Sequence, residues 1–339
     1  MSHFRFIFPV GQGGFALERI EDYVVVYDCG SDTSDSMVEC CIDLVSSYID
    51  HVDLLFISHF DKDHVNGMRY LLSKVRVRTA FVSWIEPELR YVYGLYTNGA
   101  YSEMIAILKE NNVEMTEVGS QQIDRKSFNQ KWEWITKSML TPGDFDEIRN
   151  FFQNNGISLD RLEKEPNYLE EKKEDINNAF KTVFGSKGPN SKGLIVLSQR
   201  CYDSPQLYTR LFECWPAAYE YSPLPYVYRS LKKEWKESSC LYVGDADLKN
   251  GEKNDIVKDF VRRTMRGKQL FLMQIPHHGS SNNIGANFEN DYPAQLYLLN
   301  DDNTNRLKKS EKLYQSLTIQ DKLIVARVRF SMFFTETDL

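Results

Sequence analysis

Three short polar islands, each directly after a stretch that reads as a β-strand, constrain this chain more than any other feature. The first is Ser58-His59-Phe60-Asp61-Lys62-Asp63-His64, the second Gly244-Asp245 and the third Pro276-His277-His278-Gly279-Ser280. Four of the six histidines lie in the first and third islands, and none occurs between His64 and His277. Imidazole and carboxylate are the side chains that bind divalent cations without redox chemistry. Sheet proteins place such groups on strand-end loops, because the strands are rigid while the loop side chains are free to converge. The pattern therefore predicts a sheet protein whose strand ends meet around one or two metal ions and an activated water.

The surrounding chain supplies strands in the right places. Residues 4–9 are aromatic and β-branched, Gly11-Gln12-Gly13-Gly14 turns the chain, and 15–20 and 23–28 read as further strands. Met37, Cys41, Leu44, Val45 and Tyr48 recur at helical spacing and predict a helix over 36–49. Strands follow at 53–58 and 79–84, with a helix over 68–75 between them. From 85 to 188 the chain is polar, rich in Glu, Lys, Asn and Tyr, with helical patterns at 101–111, 142–154 and 168–184. Strand character resumes at 194–198, 239–243, 270–275, 295–300 and 323–334, with an amphipathic helix over 255–266. The expected organisation is an α/β chain with two β-rich halves, 1–84 and 189–339. A mostly helical insertion or cap, 85–188, separates them and is available to select a substrate or protein partner.

Bulk properties narrow the setting. Hydrophobic residues make up 42% and aromatics 13%, enough for a packed core. Apolar runs such as 54–57 and 194–197 are too short to cross a bilayer, and 1–10 lacks the pattern of a secretion signal. The cysteines are scattered without a CxxC, which fits a reduced, cytoplasmic compartment. A net charge of −7 argues against a uniformly basic nucleic-acid binder but leaves room for a local basic rim. Lys258, Arg262, Arg263, Arg266 and Lys268 form a basic stripe that reads first as a solvated helix face and second as a phosphate-binding rim. Tyr91, Tyr93 and Tyr96 could stack on bases or pack within the cap.

Within the first island, alternate residues of an extended loop point the same way. His59 and Asp61 can then share one ion, while Asp63 and His64, turning into the next helix, reach a second. Asp245 can bridge both, since a carboxylate has two oxygens. One of His277 and His278 closes a site, and the other can protonate a leaving group or orient a phosphate. Asp28 reads as a brace for the loop rather than a ligand. Gly11-Gln12-Gly13-Gly14 lacks the Lys-Ser/Thr of a phosphate loop and is read as a tight turn.

The first island resembles the signature loop of metallo-β-lactamase-fold proteins, usually HxHxDH, with Asp61 where the second histidine is usual. Other segments extend the likeness: Val10-Gly11-Gln12-Gly13, Asp28-Cys29-Gly30, Gly244-Asp245 and Pro276-His277-His278-Gly279-Ser280. With them, the HxDxDH form is similar to the metallo-hydrolase domain of the ComEC DNA-uptake proteins and their stand-alone relatives. The resemblance implies an αββα sandwich with the metal site at one edge of its two sheets. It also implies a metal-dependent hydrolase, with nuclease or phosphodiesterase activity foremost. His59, Asp61, Asp63, His64, Asp245 and His278 would then hold two divalent ions, with Asp63, His277 and His278 taking part in catalysis. Many members of the family carry a middle histidine, often in GHT; here Asn190-Ser191, ahead of 194–197, is a loose counterpart from the ComEC-like pattern. The oxygen donor of Asp61 shifts the expected metal towards Mn2+ or Mg2+, with Zn2+ retained. The expected function is hydrolysis of phosphodiesters in DNA or RNA by a metal-activated hydroxide. The alternatives are a phosphodiesterase or esterase acting on small nucleotides or lipids, and a non-catalytic sensor or assembly partner on a degenerate hydrolase fold.

Overall fold

The computed structural model describes residues 2–185, 188–201, 208–215, 227–249, 251–267, 269–301, 305–326 and 332–338. Its strands are β1 (Ser2–Ile7), β2 (Gly13–Ile20), β3 (Tyr23–Ser31), β4 (His51–Phe56), β5 (Arg76–Ser83), β6 (Glu114–Val118), β7 (Asp124–Phe128) and β8 (Trp132–Ser138). They continue as β9 (Leu194–Arg200), β10 (Thr209–Trp215), β11 (Val227–Trp235), β12 (Cys240–Tyr242), β13 (Leu270–Gln274), β14 (Ala294–Asn300), β15 (Leu323–Ala326) and β16 (Met332–Asp338). The helices that matter here are α1 (Asp35–Ser46), α2 (Lys62–Val65), α3 (Met68–Lys74), α4 (Arg90–Tyr96), α5 (Ala100–Glu110), α6 (Pro142–Asn154), α7 (Leu159–Lys164), α8 (Pro166–Phe184) and α9 (Gly251–Thr264).

Two mixed sheets result. One runs β11-β10-β16-β1-β2-β3-β4-β5-β6, the other β15-β14-β13-β12-β9-β8-β7. Each combines antiparallel pairs with a parallel run: β3 to β6 in the first, β12 to β15 in the second. Parallel neighbours need a crossover, and helices supply it. α1 links β3 to β4, α2 and α3 link β4 to β5, and α9 links β12 to β13. α1 starts where the Ser34 hydroxyl accepts the Met37 N–H, and it buries Val38, Cys41, Ile42 and Val45 against the first sheet.

Strand alternation divides the apolar residues among three cores. Along β3, Val24 and Val26 face the helices while Val25 and Tyr27 face the second sheet. Along β9, Leu194 and Val196 face the first sheet, whereas Ile195 and Leu197 face the α9 side, where Val257 and Phe260 meet them. A core between the sheets and one outside each sheet make four layers, an αββα sandwich with helical insertions.

The chain between 85 and 188 is not helical throughout. β6 joins the parallel edge of the first sheet, and β7 and β8 extend the second. The sequence hides β6 and β7 because both are edge strands with polar residues on exposed faces, Glu114 and Glu117 in one and Arg125 and Lys126 in the other. The helices of this stretch fall into two groups, α4–α5 between β5 and β6 and α6–α8 between β8 and β9. The single strand expected over 323–334 is two, β15 at the edge of one sheet and β16 inside the other. Among the described residues no helix is long and apolar enough to cross a membrane.

Candidate metal centre

All three islands lie at strand ends on one edge of the sandwich. The first follows β4 and enters α2, a single turn. Asp61 precedes that turn with extended backbone, yet its carboxylate caps nothing and accepts instead from the Asn190 amide, 129 residues away. The loop fits because Gly30 lies beneath it: a Cβ there would come within 2.7 Å of the backbone of Asp63 and His64. Gly244, after β12, has φ +50°, and a Cβ would meet Ser58 at 2.8 Å. Gln274 at the end of β13 accepts from the N–H groups of Val243 (2.9 Å) and Gly244 (3.0 Å), locking the second island to the third.

The islands converge on the Asp245 carboxylate. Oδ1 lies 3.4 Å from His64 Nε2 and 3.7 Å from His278 Nε2. Oδ2 lies 3.8 Å from His59 Nε2 and 3.0 Å from His277 Nδ1. Asp63 Oδ2 stands 2.9 Å from His278 Nε2 and 3.8 Å from His64 Nε2. Two groups of donors, His59-Asp63-His64 and His64-Asp245-His278, each gather within 4.8 Å, and all five of these residues are buried. Among them, His59 Nε2, His64 Nε2 and Asp245 Oδ1 have no hydrogen-bond partner. Buried polar atoms are almost always paired. Three orphans aimed at one space, all metal-type donors, fit a cation that would complete them.

The imidazoles are oriented from behind. Ser58 donates its hydroxyl to Asp28 Oδ2 (2.7 Å), so the Ser58 Oγ itself accepts from His59 Nδ1 (3.0 Å). His64 Nδ1 donates to the same Asp28 oxygen (2.7 Å), and His278 Nδ1 donates to the Asn300 carbonyl (2.8 Å). Each of the three rings therefore turns Nε2 to the centre. Asp28 also accepts from the Ser58 N–H (2.7 Å), which makes it the brace of the whole loop. Asp28→Asn should weaken metal binding by about 10–100-fold without unfolding the chain. Titration with a competing chelator would measure this, and an unchanged affinity would remove Asp28 from the support of the site.

Electrostatics favours cation uptake. Burial would raise Asp63 and Asp245, but neighbouring imidazoles dominate: His64 and His278 for Asp63, His277 and His64 for Asp245. Both carboxyls are held well below their ordinary values and stay charged. Burial, then His64, lowers His59. His64 is raised well above its ordinary value, because Asp28 and Asp63 outweigh burial. Metal uptake at this ring is coupled to loss of a proton.

Of the residues singled out from sequence, His59, Asp63, His64, Asp245 and His278 come together, and His277 reaches Asp245 from the open side, being 36% exposed. Asp61 stands outside both donor groups, 3.9 Å from His59 Nε2 and half exposed, so the pairing of His59 with Asp61 is looser than alternation implies. The reason is that α2 begins at Lys62 and turns Asp63 and His64 inward, away from the extended run.

Asn190 is the partner that spacing alone could not assign. Tyr93 and Tyr96 pack into the core outside the first sheet: Tyr93 is edge-on to Phe60 and Tyr101, and Tyr96 stacks on Phe180 at 4.4 Å. The basic stripe is an ion-paired helix face, with Lys258 on Asp291, Arg262 and Arg263 on Asp259, and Arg266 on Glu133. Lys268 lies outside the described residues.

The layering is that of a metallo-β-lactamase-type αββα sandwich, and His/Asp donors gather at its strand ends. No family model and no curated protein matches the chain. Solved structures similar to it include the metallo-β-lactamase fold protein YhfI from Bacillus subtilis, 9% identical with a TM-score of 0.45 over 97% of this chain and 98% of that one. Another is a diphosphatase of the PhnP family, 9% identical with a TM-score of 0.43 over 99% and 98%. A third is the chemotaxis sensor ODP with a peroxy diiron species, 19% identical with a TM-score of 0.28. That match takes in 40% of this chain and about half, 49%, of the sensor.

Proposed function

We propose that this chain is a dinuclear metal-dependent hydrolase of phosphodiesters, with DNA or RNA as its substrate, in the stand-alone ComEC-like form. One observation carries the reading: the two oxygens of Asp245 face different imidazole pairs, the arrangement a bridging carboxylate needs. His59, Asp61 and Asp245 would hold one divalent ion, and Asp63, His64, Asp245 and His278 the other. Oxygen-rich donors suit Mn2+ or Mg2+, and the imidazoles suit Zn2+. Bound there, such ions polarise a phosphoryl oxygen and make water a nucleophile at neutral pH.

The chain's own residues do the positioning. Asp28 and Ser58 hold His59 and His64, and Asn300 holds His278, so no reorganisation is needed when substrate arrives. The exposed side of the centre carries Asp61 and His277, where a phosphate would approach. The 85–188 segment brings the Tyr93 and Tyr96 region of its cap close to the Asp61 loop, which makes it the place where substrate or a protein partner would be selected.

Purified protein with added Mn2+ should cut single- or double-stranded DNA or RNA, and Asp63→Ala should lower the rate by at least about 100-fold. Intact nucleic acids alongside turnover of a small phosphodiester would move the substrate to the small-molecule class. No turnover of either, with Asp63→Ala indistinguishable, would remove the hydrolase reading.

A further inference from the structure

We infer that the carboxyl end of α9 and the nearby edge strand β7 form a docking face for a nucleic-acid backbone, separate from the metal centre and resting on the phosphodiester reading above. Its working parts are four arginines held two to a carboxylate. Glu133 on β8 accepts from Arg125 of β7 (Nη1, 3.0 Å) and from Arg266 just past α9 (Nε, 2.8 Å). Asp259 on α9 accepts from Arg262 (Nη2, 2.6 Å) and Arg263 (Nε, 2.7 Å). The helix stripe is thus ion-paired, yet four guanidiniums face two carboxylates, on a chain whose overall charge is −7.

The Glu133 cluster is preorganised. Glu133 is buried, and burying a carboxylate is costly unless it is paired and hydrogen-bonded. One arginine would neutralise it. Two are present, and each keeps its guanidinium half in solvent, 44% exposed for Arg125 and 47% for Arg266. Gln199 fixes the assembly: its Nε2 donates to Glu133 (2.9 Å) and to the Thr264 carbonyl (2.8 Å), and its Oε1 accepts from the Arg266 N–H (3.0 Å). A guanidinium is a planar fork of five donors that matches phosphate oxygens in two-point contacts. Donors already held in place lose less freedom when a phosphate binds. Arg262 and Arg263 are more exposed still, and surface ion pairs are weak, so a phosphate can displace Asp259 from them.

The face lies at the far end of a helix that begins beside the metal centre. In the first turn of α9, Lys253 donates to Ser191 Oγ (2.8 Å), next to the Asn190 that holds Asp61. From Lys253 to Arg266 a helix rises about 20 Å, which a duplex backbone at about 3.4 Å per nucleotide covers in about six nucleotides. The arginines would therefore grip phosphates about six nucleotides from the bond being cut. A small diester cannot reach both places, so the face favours polymers. An anionic membrane offers the same charge, but none of the exposed large apolar side chains among the described residues, Tyr48, Tyr91, Tyr208 and Ile319, lies on α9 or β7 to insert into it.

Binding of DNA and RNA oligonucleotides, measured against length and salt, is the test. The informative variant combines Arg125→Gln, Arg262→Gln and Arg263→Gln, which leaves Arg266 to neutralise Glu133. Arg262→Gln with Arg263→Gln keeps the Glu133 cluster whole and is the second variant should the first fold poorly. Wild type should bind more tightly as length grows past about six nucleotides, with a steep salt dependence. At about 0.1 M salt the triple variant should bind long strands at least about 10-fold more weakly, and its slope of log affinity against log salt should fall by about 2–3. The double variant should lose about 1–2 of that slope. Both should turn over a small phosphodiester at the wild-type rate. Wild-type affinity and slope in a folded variant would overturn the docking face and leave the hydrolase reading standing. So would a wild type that cleaves small diesters yet binds no nucleic acid, or binds only vesicles containing phosphatidylserine. A wild type that cleaves no phosphodiester but holds nucleic acid through these arginines would remove the hydrolase reading and keep the face.

Discussion

Asp245→Asn will produce a folded chain that has lost metal and at least about 10³-fold of its hydrolytic rate, a barrier increase of about 4 kcal/mol. The substitution preserves shape, and the packing around residue 245 rests on groups it does not touch. The Asp245 carbonyl still accepts from Asn283 (3.0 Å), and the Gly244 N–H still donates to Gln274. What disappears is a buried negative charge facing His59, His64, His277 and His278. A neutral amide offers one weak oxygen donor where the carboxylate has two, so it cannot serve both sides. Elemental analysis should show the loss of at least one ion, and the thermal midpoint should show that the fold persists. Full metal content together with wild-type turnover would rule out the bridging role. The contrast with Asp28→Asn is informative, because that residue acts on the ions only through His64 and Ser58 and its loss should be graded rather than abrupt.

The centre was legible because its chemistry is written in contiguous residues. His59, Asp63 and His64 share one loop, and His277 and His278 share another, so a short-range reading finds them. The αββα layering was expected only from the family resemblance of these islands; strands such as Val24-Val25-Val26 and Ile195-Val196-Leu197, apolar on both faces, agree with it, being the mark of a sheet covered twice. Long-range pairings were not legible. Nothing near Asp61 announces Asn190, and the polar edge strands β6 and β7 lack the alternation that would separate them from loops. β1 defeats pattern reading outright, because it buries His3 and Arg5 completely between the sheets and leaves Phe4 and Phe6 half-buried on the other face. Only a partner elsewhere in the chain makes that orientation tolerable.

That partner is Glu18, and Glu18→Ala is expected to cost about 3–5 kcal/mol of stability. Fully buried on β2, Glu18 accepts from Arg5 Nε (2.7 Å), His3 Nε2 (3.0 Å), Trp134 Nε1 (2.7 Å), Ser198 Oγ (2.6 Å) and Tyr242 OH (3.2 Å). Burial alone would raise its carboxyl, but Arg5 and then His3 outweigh it, and Glu18 is held far below its ordinary range. Removing it leaves the Arg5 guanidinium charged and uncompensated between two sheets, since arginine cannot shed its proton. Adding Arg5→Met should recover part of the loss by removing that charge, though Trp134, Ser198 and Tyr242 would still lack their acceptor.

The same cluster sets an acid limit. Burial lowers His3 from 6.5 to about 4, so the unfolded chain takes up a proton first and stability falls as pH drops from 6.5 to about 4. Urea unfolding of wild type, the single variant and the double variant at neutral pH separates these contributions. A Glu18→Ala midpoint corresponding to less than about 1 kcal/mol would mean that water or relaxation of the sheets shields Arg5. The metal centre provides an internal control. The network reaches the site through Tyr242, which precedes the Val243-Gly244-Asp245 turn, and through Tyr27, which stacks on Tyr242 and precedes Asp28; neither supplies a donor to the centre. Whatever fraction of Glu18→Ala remains folded should therefore still bind its ions, whereas Asp245→Asn should remain folded and release them.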